Sequence, residues 1–127
     1  ADVASGGELS RITLALYAAL SRSVGTPVMV YDEIDAGVSG GVAERMGKVL
    51  QRAARERQVL IVTHHGQVAA RAGTHLVVDK TTVDGRTVAS VRRLDGEDRV
   101  LEIARIIGGT TLTDAVLRHA RELVAGA

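Results

Sequence analysis

Apolar residues recur at helical spacing from the start of the chain: Leu9, Ile12, Leu16 and Leu20 predict a helix over residues 5–24. Gly25-Thr26-Pro27 ends it, because proline removes a backbone donor and clashes with the preceding turn. Residues 28–31 then form a short unbroken apolar run, the pattern of a strand buried on both faces. Residues 35–41 are glycine-rich and read as a loop. Beyond Val42, residues Met46, Val49, Leu50 and Ala53 share one side of a helix. Glu44, Arg45, Lys48, Arg52 and Arg55 share the other. Residues 59–62 repeat the buried-strand pattern, with His64 just past the end.

The second half of the chain continues the alternation. Residues 67–72 predict a short helix, and residues 76–78 and 88–92 predict strands joined through Asp84-Gly85, a hairpin signal. Val100, Ile103, Ala104 and Ile107 place a helix over residues 97–107, closed by Gly108-Gly109. Thr111 with Asp114 three residues on reads as a capping box opening a last helix to about Val124. The pattern is α/β: parallel strands flanked by helices, plus a β-hairpin, in one unit over residues 1–127.

Composition narrows this picture in two ways. With no Phe, no Trp and only 2 Tyr, the core must be built from aliphatic side chains. The balance of 16 basic and 15 acidic residues announces no nucleic-acid surface, so the arginines at 45, 52, 55 and 57 read first as a solvated helix face and second as a phosphate-contacting patch. The absence of cysteine excludes disulfides and thiolate metal sites. No long apolar run and no signal-peptide pattern appear, so a soluble, cytoplasmic protein without a membrane partner is expected.

Three short segments carry candidate chemistry, each with an ordinary alternative. Ser5-Gly6-Gly7-Glu8 is a capping box by spacing, but glycine is a poor residue in a first helical turn. Glycines there let a helix N-terminus approach an anion closely, with the Ser5 hydroxyl adding a hydrogen bond. Asp32-Glu33 ends an apolar strand, where carboxylates are either simply hydrated or face a ligand at the carboxyl edge of the sheet. In the second case Asp32 suits Mg²⁺ held through water, and Glu33 suits polarising an attacking water. His64-His65 is a polar strand end or one phosphate-contacting histidine. Adjacent side chains rarely converge on one ion, and no H-x-x-x-H spacing supports zinc. The segment from Asp35 to Gly41, with Gly37 and Ser39 inside it, is a strand-to-helix turn with Ser39 as N-cap, or a functional loop.

In this order and at these gaps, the motifs resemble the second half of an ATP-binding-cassette head, and the whole chain resembles the C-terminal part of the head in the RecN family of bacterial DNA double-strand-break repair proteins, relatives of SMC proteins. Ala4 to Arg11 matches the family's signature motif, Tyr31-Asp32-Glu33 its Walker B end, Ile34 to Gly40 its D-loop and Thr63-His64 its switch histidine. Gln67-Val68-Ala69-Ala70, Asp79-Lys80 and the stretch from Ala104 to Gly109 extend the match and favour RecN over transporter or SMC heads. His65-Gly66 stands where the family's Leu-Pro is expected.

The resemblance implies an ATP hydrolase. Its parts would be Mg²⁺ on Asp32, catalytic Glu33 and His64, D-loop residues Asp35, Gly37 and Ser39, and Ser5, Gly6, Gly7 and Glu8 contacting ATP in trans across a two-head sandwich. It also implies DNA as a partner of the full-length, nucleoid-associated protein. A phosphate-gripping G-x-x-x-x-G-K-[ST] loop does not occur: Gly47-Lys48 is followed by Val49, and Lys80 has no glycine run before it. The Walker A half of the head is therefore expected as a partner, and the isolated chain is expected to be inactive. A transporter subunit fragment and a non-catalytic scaffold module are the competing readings.

Overall fold

The computed structural model describes Ala15, residues 28–32 and residues 34–127. Apart from Ala15, the predicted first helix, with Ser5, Gly6, Gly7 and Glu8, lies outside the described residues, as does the acid Glu33.

Strand β1 (Val28–Asp32) pairs in parallel with β2 (Gln58–Val62), in the register Met29 with Val59, Tyr31 with Ile61 and Asp32 with Val62. Between them runs helix α1 (Gly40–Ala53), which buries Ala43, Met46, Gly47 and Leu50, the i, i+3, i+4, i+7 stripe expected of a helix lying on a sheet. Its N-cap position is Ser39, in extended backbone and without a side-chain capping bond. Met46 and Leu50 pack with Tyr31, Val38, Ala43 and Val68, and Met29, Val59 and Ile61 reach the same cluster from the sheet. Burying an aliphatic side chain of this size stabilises a fold by roughly 1.5–3 kcal/mol.

The expectation that both strands are buried on both faces is corrected. The face carrying Met29, Tyr31, Val59 and Ile61 is covered, while Val30 (67% exposed) and Val62 (58% exposed) stand on the opposite face with Val28 and Leu60. Side chains alternate along a strand, so one helix layer can cover only one set.

Helix α2 (Gly66–Ala69) is one residue-turn long and sits against α3 (Gly96–Gly108). Gly66 permits this approach, since a Cβ there would lie 2.5 Å from Ile107 Cγ2. Helix α4 (Asp114–Ala125) packs on α3 to form a second cluster of Ala69, Ala70, Val100, Ile103, Ala104 and Ala120. Its N-cap is Thr113, whose hydroxyl accepts from Val116 N at 3.3 Å; the capping box predicted at Thr111 is not the one used.

Strands β3 (His75–Val83) and β4 (Arg86–Leu94) form an antiparallel hairpin longer than the apolar pattern predicts. Asp84 (φ 49°) and Gly85 (φ 75°) turn the chain, both left-handed as a two-residue hairpin turn of the primed kind requires. Pairing runs from His75 with Leu94 to Val83 with Arg86, so backbone bonds continue through Lys80, Thr81 and Thr82 where the apolar pattern lapses. The α/β architecture read from the sequence, a parallel pair with helices and a hairpin, is the architecture found. Among the described residues no helix is long and apolar enough to cross a membrane.

Candidate active site at the carboxyl edge of the parallel pair

Parallel pairing brings the carboxyl ends of β1 and β2 side by side, because Asp32 is in register with Val62. Asp32 is exposed at the end of β1, and Thr63, His64 and His65 leave the end of β2. Two sequence-distant candidates, Asp32 and His64, thus share one edge of the sheet. In open α/β sheets this edge is where ligands bind.

The turn after β1 adds a third group. Val38 N donates to Asp35 O at 3.1 Å and Gly37 takes φ 69°, so the chain reverses tightly and drives the Asp35 side chain inward. Asp35 is 1% exposed, the single buried acid among the described residues. One carboxylate oxygen, Oδ2, accepts a short hydrogen bond from the Thr63 hydroxyl. Thr63 Oγ1 itself accepts from His65 N at 3.0 Å. The other oxygen, Oδ1, has no hydrogen-bond partner among the described residues and lies 3.9 Å from His64 Nδ1. The His64 ring stands 65% exposed and 4.6 Å from the His65 ring, centroid to centroid.

Gly37 and Ser39 are exposed beside this edge. Ser5, Gly6, Gly7, Glu8 and Glu33 belong to the candidate set but lie outside the described residues. The Thr63 hydroxyl was not singled out by sequence reasoning. The one available signal was a hydroxyl residue between an apolar strand and a histidine, which fits many loops equally well.

Among the described residues no three His, Asp or Glu side chains come together as a group that could hold a metal ion. An exposed carboxylate at a strand end does fit Mg²⁺, which keeps most of its water shell and is held by one or two carboxylates and substrate phosphates. His75 stands apart, at the root of the hairpin. Burial, and then Arg99 nearby, hold its imidazole below the usual histidine range, with Glu102 opposing.

No family model matches the chain. Solved structures define the class. The chain superposes with a TM-score of 0.67 and 27% identity on the Smc head domain of Pyrococcus yayanosii, covering 80% of this chain and 19% of that one. It superposes with a TM-score of 0.59 and 29% identity on the SMC head domain from Thermotoga maritima, covering 74% and 34%. The fold is that of a segment of an SMC-type head. Within that class the sequence belongs with the RecN proteins. It is 53% identical to the DNA repair protein RecN of Deinococcus radiodurans over 98% of this chain, and 50% identical to that of Mycobacterium leprae over 100%. The chain spans 22% and 21% of the length of those two relatives.

Proposed function

We propose that this chain is the C-terminal part of the ATPase head of a RecN-type DNA-repair protein, acting in the cytoplasm on the nucleoid. The observation that carries this reading is the shared carboxyl edge of β1 and β2, which brings Asp32 and His64 together across a parallel pair. Its relatives bear the name DNA repair protein RecN, and a further structural neighbour, 24% identical with a TM-score of 0.67, comes from work on ATP-driven dimerization of SMC ATPases.

In this proposal two heads sandwich ATP, and each active site is composite. The Walker A half of the same head grips the triphosphate, and the chain alone is inactive. Asp32 would hold Mg²⁺ through water, and the ion would supply neutralisation of charge on the phosphate oxygens. Glu33 polarises the attacking water as general base. His64 contacts the γ-phosphate. From the opposite head, Ser5, Gly6, Gly7 and Glu8 contact the same phosphate. The loop of Asp35, Gly37 and Ser39 joins the two halves of the machinery. Catalysis is then mainly fixed donors and charges aimed at the transferring phosphoryl group. Hydrolysis separates the heads and so gates DNA held by the full-length protein.

The decisive experiment is Glu33→Gln in the full-length protein. ATP-dependent head pairing, read by size-exclusion chromatography, is expected to persist while hydrolysis falls by about 100-fold or more. Normal turnover by Glu33→Gln removes Glu33 as the base and with it this mechanism.

A further inference from the structure

Asp35 is the group whose placement the proposed mechanism leaves unexplained. A carboxylate 1% exposed loses most of its hydration and needs compensating donors. Among the described residues it has one: the Thr63 hydroxyl on Oδ2. That hydroxyl is oriented, because its oxygen already accepts from His65 N at 3.0 Å, leaving its proton for the acid. The chain is therefore locked in sequence from the backbone beyond β2, through Thr63, to a carboxylate on the turn after β1. Among the described residues Oδ1 has no hydrogen-bond partner, and His64 Nδ1 lies 3.9 Å from it. Closing that gap by about 1 Å would bring the two atoms to hydrogen-bond distance. With Nδ1 so engaged, Nε2 on the far side of the ring faces outward, away from the buried acid.

We propose that Asp35 is a positioning residue for His64: pinned by Thr63, its buried carboxylate holds the imidazole by Nδ1 and presents Nε2 at the sheet edge where Asp32 stands. The role rests on the reading of His64 given above and deepens it. It also gives Asp35, 1% exposed, a task within its own chain. An exposed histidine without such an anchor samples several rotamers, and freezing it at the moment of reaction costs side-chain entropy. An acid behind the ring removes that cost beforehand and fixes which nitrogen carries the proton.

The test is a double-mutant cycle in the full-length protein, measuring kcat and KM for ATP in wild type, Asp35→Asn, His64→Ala and the pair, with Thr63→Ser as the conservative control. Asp35→Asn is expected to lower kcat by about 10- to 100-fold, the usual effect of removing an orienting partner, and to leave KM within about twofold. In the His64→Ala background it is expected to add nothing, because the ring it orients is gone. Thr63→Ser, which keeps the hydroxyl, should lower kcat less than Thr63→Val, which removes it. In protein labelled at histidine, the ring signals missing from His64→Ala should shift in Asp35→Asn while the other histidines stay in place. If Asp35→Asn and His64→Ala multiply instead, or the His64 signals do not move, Asp35 is a structural lock and the proposal is overturned alone. If His64→Ala hydrolyses like wild type, the reading of His64 falls and this proposal with it. Should Asp35→Asn not fold, Thr63→Val in the same cycle decides by the same two outcomes.

Discussion

The two faces of the β1–β2 pair are built from the same kind of residue yet meet different surroundings. Met29, Tyr31, Val59 and Ile61 pack against α1 and the turn at Ile34 and Val38. Val28, Val30, Leu60 and Val62, one residue out of step, stand exposed. An antiparallel sheet with one wet face would carry polar residues there, giving a clean alternation. Here both faces are apolar, as in parallel sheets with layers on each side. A bare aliphatic face of this kind marks a surface made for a partner layer. In the proposed head, that layer is the Walker A half.

The covered face sets the largest effect. Leu50, 3% exposed, is expected to cost about 3 kcal/mol on change to alanine, since truncation forfeits both transfer energy and the atoms it packs against. Urea denaturation of the full-length protein measures it. A loss under about 1 kcal/mol would mean that α1 does not form the lid over β1 and β2, and the contrast between faces would have no basis.

Leu60 sharpens the comparison from the other side. It is 43% exposed within this chain, so Leu60→Ser judged from this chain alone should change stability by no more than about 0.5 kcal/mol. With the Walker A half packed on that face, the same substitution is expected to cost about 2 kcal/mol in the full-length protein. A full-length variant as stable as wild type would show that water, not protein, covers this face.

That contrast also marks what the sequence could disclose. The unbroken apolar runs state that both faces of each strand want burial, but they carry no label for which polypeptide does the burying. Element order, strand direction and the edge shared by Asp32 and His64 follow from local pattern plus the topology of an α/β unit. The partnership of Asp35 with Thr63 does not, because it joins residues 28 apart through a turn whose inward aim depends on packing. Two threonines could each cap the last helix, and backbone direction, invisible in the spacing, selected Thr113 over Thr111. The hairpin outran its apolar pattern because Asp84-Gly85 sets the register, and backbone bonding then carries pairing across Lys80, Thr81 and Thr82.

The hairpin repeats the same contrast along its length, with a smaller effect. Its root is covered, with Leu94 2% exposed opposite a half-buried His75, while Val83 near the tip is 54% exposed. Burial first, and Arg99 second, depress the folded-state ionisation of His75 below its ordinary value of 6.5, and Glu102 only partly opposes them. A histidine lowered in this way favours the fold in its neutral form. Its contribution is complete above the ordinary value and is lost as pH falls from there through the lowered one. Melting temperature of the full-length protein should therefore drop between about pH 7.5 and about pH 5, and His75→Gln should flatten part of that slope. Equal slopes in wild type and His75→Gln would place the root of the hairpin in water, and the distinction between covered and bare surface would then stop at the parallel pair.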